Sequence, residues 1–437
     1  MYHSHWAYFL KKLENRVEGE HMRCIIVGIA LSSVVVSTLL SSQDSAPEVK
    51  KLRQEVDELR EMISKLQRQK KAPGYRKGSD ADISINSELA RLNETVAELR
   101  SELEGNAKSG FLLTGYTSFD WTDAQGEDNE FSGVKFAPIF HYQYGQLFQF
   151  EGELELILKE DGETETELEY AAGTLFLNDY MGLQMGKFLS PIGQYVQNLH
   201  PSWINKLPSN PLGFGHDGAA PTSNVGIALR GGLPKVFDTR SNYVLFVSNA
   251  PTFGVADDGD VVVGASGKTT ANDVSKTFGG RFAINPVSGM EVGISSATGK
   301  IAEKITVGTD TYNISRDYDV YGFDAMYNVN GFDFKAEHIE QHIGENSAST
   351  LTGGKWRAWY AQASYQFTSF KFEPVLRYSD YHNPEQERNQ WAVGLNYLFA
   401  NNVIAKLAYE YNTDEDDDTV NSNANNNRVL AQFAFGF

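Results

Sequence analysis

From Gly110 to its end the chain alternates strand-like stretches with connections of two very different lengths, and this asymmetry limits the fold more than any single motif. Roughly sixteen stretches, from Phe111–Trp121 to Asn426–Phe437, carry apolar residues at every second position and approach the length of a tilted strand that crosses a bilayer. Every second connection is short: Gly145-Gln146, Asn178-Asp179, Pro286–Gly289, Val329–Gly331, Thr368-Ser369 and Asn401-Asn402, with Leu233–Ser241 an exception of moderate length. Those between them are mostly long and polar, such as Thr122–Ser132, Ala250–Lys276 and Thr413–Asn425. A membrane barrel puts tight turns on one rim and loops on the other, whereas a soluble sandwich has no reason to segregate them. The expected fold is an all-β membrane protein, a 16-stranded antiparallel transmembrane β-barrel over residues 109–437, preceded by an α-helical coiled coil.

The last strand shows the two solvents most clearly. Val429, Ala431, Phe433, Phe435 and Phe437 fall on one face, and Arg428, Leu430, Gln432, Ala434 and Gly436 on the other. A chain end is normally frayed and soluble, so one that carries three phenylalanines needs an apolar partner outside. The soluble alternative is an edge strand of a β-sandwich. Ending on Phe437 resembles the bacterial outer-membrane porins, whose last strand closes on an aromatic. That resemblance implies that this strand pairs with Phe111–Trp121 and that Phe437 is read by the barrel-insertion machinery.

Parity assigns the other faces in the same way. Trp391, Val393, Leu395, Tyr397 and Phe399 are expected outside, with Gln390, Ala392, Gly394 and Asn396 inside. The expected lumen wall carries Lys135, Arg230, Arg281, Lys335, Arg377, Lys406 and Arg428 among its bases, and Glu151, Glu153 and Glu155 among its acids. Two readings of these charges stand side by side, a selective ladder and mutually paired wall charge.

The longest connection, Leu189–Ser223, is also the third loop in order. It carries five prolines and aromatics at Tyr195, Trp203 and Phe214, more apolar content than an exposed loop sustains. The junction Gly186-Lys187-Phe188-Leu189-Ser190-Pro191 resembles that of phosphate-selective porin O/P-like and DcaP-like channels, the latter with an N-terminal coiled coil. The resemblance implies a passive channel for small hydrophilic solutes whose third loop folds inward and narrows the pore. His200, Trp203, Asn205, Lys206 and His216 become candidates for the constriction, each with a structural role in stiffening the loop as the alternative. Bases and acids are mixed along the expected wall and the loop holds no basic run, so the phosphate specificity of the relatives does not transfer by sequence.

Before the barrel the chain changes character. Met22 and Arg23, the apolar run Cys24–Leu40 and the small residues after it read as a signal peptide within residues 1–46, with Met22 the possible true start. No A-x-A site follows, which keeps an uncleaved anchor open. Over residues 47–108, Val49, Leu52, Val56, Leu59, Ile63 and Leu66 step by three and four, as do Leu89, Leu92, Val96, Leu99 and Leu103 after a break near 71–84 that contains Pro73 and Gly74. This is a periplasmic coiled coil in two pieces, or alternatively a solvated single helix. Its seam favours two strands, while porins are usually trimers. A coil attached to peptidoglycan would make the barrel an anchor instead of, or besides, a channel.

Composition and motifs exclude other classes. Mean hydropathy is −0.38, too low for a helical membrane protein. Met1–Lys108 is nearly neutral, so almost all of the net charge of −19 falls on the barrel region, which argues against nucleic acid as a partner. It suggests a weak preference for cations, which a local ring of Arg and Lys would reverse. The one cysteine, Cys24, leaves no disulfide framework. Asp414, Asp416 and Asp418 have calcium-loop spacing, but Thr419 and Asn425 stand where Gly and Glu are needed. No hydrolase, phosphate-loop or zinc motif is present, so neither an enzyme, a metal nor a cofactor is expected. The expected partners are outer-membrane lipid, lipopolysaccharide and further copies of the chain.

Overall fold

The computed structural model describes residues 58–59, 61–65, 68, 87–96 and 109–437, the last range without 127, 160, 216–217, 237–238, 256–260, 265–275, 308–309, 385 and 416–426. The chain divides into two compact units, Met1–Leu112 with Tyr142–Gln146, and Leu113–His141 with Leu147–Phe437. In the first, residues 58–59, 61–65, 68 and 87–96 are helical, with Leu92 and Val96 buried one turn apart and Leu59, Ile63 and Leu89 half-buried. Ion pairs of helical spacing, Glu61 to Lys65 at 3.1 Å and Glu88 to Arg91 at 3.3 Å, line the exposed side. The signal segment 1–46, the break near 71–84, and Val49, Leu52, Val56, Leu66, Leu99 and Leu103 lie outside the described residues.

The strands are β1 (Ser109–Ala124), β2 (Glu130–Tyr144), β3 (Phe148–Leu158), β4 (Thr164–Asn178), β5 (Met181–Leu189), β6 (Ser223–Val236), β7 (Thr239–Asn249), β8 (Thr252–Val255), β9 (Val261–Gly264), β10 (Lys276–Asn285), β11 (Met290–Val307), β12 (Asp310–Val329), β13 (Phe332–Ile343), β14 (Gly354–Tyr365), β15 (Phe372–His382), β16 (Glu387–Ala400), β17 (Val403–Glu415) and β18 (Arg428–Gly436). Sixteen of them form a closed antiparallel barrel. Each pairs with its neighbour in the chain, β7 pairs directly with β10, and β18 returns to β1 with Tyr116 opposite Gly436 and Trp121 opposite Ala431. Closure leaves no unpaired edge for lipid to meet.

Turn chemistry sets the register. Asn330 and Gly331 both have positive φ, 49° and 86°, and Val329 pairs with Phe332 across them, the geometry that the twist of a two-residue hairpin requires. The side-chain alternation follows. On β16, Trp391, Val393, Leu395 and Phe399 are exposed to the bilayer side, and Gln390, Ala392, Gly394 and Asn396 are buried inside. Outward aromatics stack from strand to strand, as Trp359, Tyr378 and Trp391 do with centroids 5.1 and 4.9 Å apart.

Three local expectations change. The moderate connection Leu233–Ser241 is a tight one, because β6 continues through a register shift after Leu233 until Val236 pairs with Thr239. The connection Ala250–Lys276 contains the hairpin β8–β9, which lies parallel to β11 with Thr252 beside Ala302. Strands β11 and β12 extend well past the apolar band, their paired tips reaching Val307 and Asp310. Toward the tips Lys304 and Thr306 alternate with Glu303 and Ile305, and Asn313 and Ser315 with Tyr312 and Ile314, so the sustained one-sided apolar pattern of a membrane strand is lost.

Buried Arg316 ties these tips together. It donates from Nε to Glu303 at 2.7 Å, from Nη1 to the Gly344 carbonyl at 3.2 Å and from Nη2 to the Leu351 carbonyl at 2.7 Å, and its guanidinium lies 4.8 Å from the Phe253 ring centroid. Phe253 meets Trp356 edge-on. Replacing Arg316 by Met leaves Glu303 with only the Ser349 hydroxyl and takes the Arg316 donors from both carbonyls, and should loosen the tips by roughly 2 kcal/mol. Limited proteolysis should then cut within residues 344–353 while the barrel stays intact; wild-type resistance would refute the tie.

Candidate functional site: the loop inside the barrel

Residues 190–222 leave the end of β5 and fold into the lumen before β6 begins. Their composition requires it, since Ile192, Tyr195, Leu199, Leu207, Phe214 and Ala219 are all buried. A five-residue π-helical turn, Tyr195–Leu199, starts the crossing. Tyr195 and Phe214 pack edge-on to each other and to Tyr360 of the wall, with centroids 5.0 to 6.0 Å apart. Leu207 is fully buried in a second cluster with Val375, Ala392, Ala408 and Leu430, against Gly394, where a Cβ would come within 2.5 Å of it.

Polar groups of the wall hold the loop backbone at successive points. Glu337 of β13 accepts the amides of Gln194 and Tyr195 at 3.1 and 2.9 Å, and Ser295 accepts that of Gly193 at 3.1 Å. Arg377 of β15 donates to the carbonyls of Ser209 and Asn210 at 2.9 and 3.1 Å and to the Ser209 hydroxyl at 2.8 Å. Asn396 of β16 donates to the Lys206 carbonyl at 2.9 Å, and Lys406 of β17 to the Ser202 carbonyl at 2.5 Å. Gln341 reaches the Gly218 carbonyl at 3.3 Å. A buried irregular loop must satisfy its backbone in this way, and here the barrel's inner face does so.

The loop candidates take different places. Lys206 pairs with Glu373 of β15 at 2.8 Å. Asn205 is buried and bonds within the loop to the Ser209 carbonyl at 2.9 Å. Trp203 lies against Gly436, where a Cβ would stand about 3.0 Å from the indole. His200 bonds through Nδ1 to the Val196 carbonyl at 2.5 Å, its Nε2 has no partner, and burial pushes its pKa below the ordinary histidine value. His216 lies outside the described residues.

The wall bases are largely engaged. Arg281 binds both Asp324, from Nε at 2.9 Å, and Glu291 at 2.9 Å. Lys335 pairs with Asp333 at 2.5 Å, Lys135 with Glu155 at 2.5 Å, and Arg428 with Glu410 at 2.6 Å, which also faces Arg377 at 3.7 Å. Arg230 donates to Gln184 at 3.3 Å, and Glu151 bonds His141 at 3.0 Å. Glu153 is buried on the same inner face of β3. Gln194, Ser209 and Asn210, which carry much of the loop's side of the anchoring, were not singled out in the sequence, whereas Glu337, Glu373, Asn396 and Glu410 were expected on the inner face. Alternation places the wall members inside, but nothing local marks which of them meets the loop.

Comparison with known proteins agrees with this geometry. The family model described as phosphate-selective porin O and P matches residues 268–437. No curated protein sequence matches significantly. Among solved structures, an anion-selective porin from Comamonas acidovorans has a TM-score of 0.51 at 14% identity, over 75% of this chain and 100% of that one. Salmonella typhi OmpF in complex with daunomycin has a TM-score of 0.50 at 13% identity, over 76% and 99%. At such identities the likeness is one of fold. Over residues 268–437 the chain is similar to this porin family, and its barrel, closed by β18 on β1 and polar within, has the fold of these channels.

Proposed function

We propose that the chain passes small hydrophilic solutes passively across the outer membrane, and that residues 190–222 set the bore. The observation that carries this reading is the loop's attachment: its backbone is bonded to the inner face of β11, β13, β15, β16 and β17, inside a barrel whose outer face is apolar. A loop held at so many points narrows the lumen as a fixed element. In the first unit, the seam from Val49 to Leu66 and from Leu89 to Leu103 is read as a periplasmic coiled coil behind a signal peptide, in a homotrimer surrounded by lipopolysaccharide.

Purified full-length protein in planar bilayers should give discrete conductance steps. Replacing residues 201–211 with a short Gly-Ser linker should raise the step size severalfold. Absence of steps from folded protein sinks the channel reading, and equal steps with and without the segment sink the role of the loop. Deleting residues 48–104 separates the tethering alternative, which predicts loss of envelope attachment at unchanged conductance.

A further inference from the structure

Between two of its anchors the loop carries a titratable side chain that no wall group holds. Before it Glu337 accepts the amides of Gln194 and Tyr195, and after it Lys406 donates to the Ser202 carbonyl, so residues 196–201 run between two fixed points. His200 is the one titratable residue on that stretch. Its Nδ1 stands 2.5 Å from the Val196 carbonyl, which can only accept, so the proton of the neutral ring sits on Nδ1. Nε2 is then a bare lone pair, buried and without a partner among the described residues. The ring is fastened to its own turn and not to the wall.

What the ring faces is the side of the lumen opposite those anchors. Trp203, three residues on, lies against Gly436 of β18, which pairs with β1, so here the loop turns toward the β18–β1–β2 wall. The charges that act most on the imidazole are Glu169 on β4, Lys135 on β2 and Glu155 on β3. Lys135 and Glu155 bond each other at 2.5 Å, and Tyr116 of β1 donates to Glu155 at 3.4 Å. Lys135 is 32% exposed, so water reaches this gap. Burial and Lys135 disfavour a charged ring while Glu169 and Glu155 favour it, and burial is the largest effect, so the ring is neutral at neutral pH. Neither carboxylate has to be unbonded to take a further donor, because each offers several lone pairs.

We propose that His200 is an acid-operated latch: a proton added at Nε2 turns a bare acceptor into a donor, which ties the loop to the carboxylates of β3 and β4 and closes the gap between them. The proton comes from water, one N–H···O bond forms, and no covalent bond other than N–H changes. Such a bond is charge-assisted on both sides, and it forms where the backbone on either side is already fixed. This inference rests on the channel reading and adds to it a response to acid.

The test is single-channel recording of the full-length protein between about pH 8 and about pH 5, a range that brackets the ordinary histidine pKa. The conductance step should fall severalfold toward acid, with its midpoint below the ordinary histidine value. His200→Phe keeps a ring but takes no proton, and should hold the large step throughout. His200→Lys is charged across the range and should hold the small step throughout. Steps that do not change with pH in the wild type overturn the latch, and so does a decline that persists in His200→Phe. If His200→Phe does not fold, the wild-type profile and His200→Lys still decide, since a large step in His200→Lys also overturns it. All of these outcomes leave the channel intact. Absence of conductance from folded protein overturns the channel reading and this inference with it.

Discussion

Replacing Arg377 by Met should give a channel with larger and noisier conductance steps and an intact barrel. Arg377 is fully buried and donates to two loop carbonyls, to the Ser209 hydroxyl and to Gln390, while Glu410 stands 3.7 Å away. Met fills similar volume without donors, so the Asn210 carbonyl loses its wall donor, the Ser209 carbonyl keeps only Asn205 within the loop, and Glu410 keeps Arg428 as its basic partner and the Ser209 hydroxyl as a donor. Leaving a buried acceptor without its donor costs roughly 1–3 kcal/mol. The loss falls on the loop, since the barrel's own ladders are untouched. Lys206 to Glu373 and Lys406 to Ser202 still hold the segment before it, and Glu337 still holds Gln194 and Tyr195. Residues 207–212 should therefore leave the wall part of the time, and single-channel recording should show flicker between a wild-type level and a higher one. Arg377→Lys separates anchoring from charge: one ammonium keeps the charge but not the planar fork, so most of the flicker should remain. Steps of wild-type size and noise in folded Arg377→Met would refute the anchoring role. Full rescue by Lys would assign the effect to charge.

The barrel was legible because two solvents impose two readable patterns. Lipid outside and water inside force a period of two on every strand, and the different tasks of the rims force long and short connections to alternate. The pattern weakened where only one solvent acts. At the tips of β11 and β12 both faces leave the bilayer, and between Leu233 and Ser241 a register shift hides a tight hairpin. The loop was legible as buried through its prolines, Tyr195, Trp203 and Phe214, but its path was not. Ser209 and Arg377 are far apart in sequence, and the same guanidinium could equally have paired with another inward acid. Parity separates inward Glu337 from outward Glu340, yet nothing local says that Glu337 receives two loop amides and Glu340 the Lys355 ammonium. Long-range pairing of this kind is set by the closed barrel, so the sequence lists the inner charges without matching them.

Removing Phe437 should leave the barrel slower to close and easier to open, although only one residue is lost. Its amide donates to the Gly115 carbonyl at 2.9 Å, and its carbonyl accepts the Gly115 amide at 3.0 Å, the first rung of the seam between β18 and β1. Its ring stacks on Phe136 of β2 with centroids 5.8 Å apart. Gly115 permits this approach: a Cβ there would lie 2.4 Å from the Ala137 carbonyl oxygen and 2.7 Å from the Phe437 ring. Two hydrogen bonds and one aromatic pair together contribute about 2–4 kcal/mol. Because they lie where the sheet meets itself, their loss frays the one junction that no chain connection holds. The variant should refold in detergent with lower yield and lose its folded electrophoretic mobility at a temperature several degrees lower. Gly115→Val, which blocks the same rung from the other strand, should reproduce the change, and wild-type behaviour of both would show that the seam is not limiting. Comparing refolding with assembly in cells then divides two roles of the same residue. Equal losses assign Phe437 to the seam alone, whereas a much greater loss in cells, with Phe437→Trp retaining insertion, assigns it also to recognition by the insertion machinery.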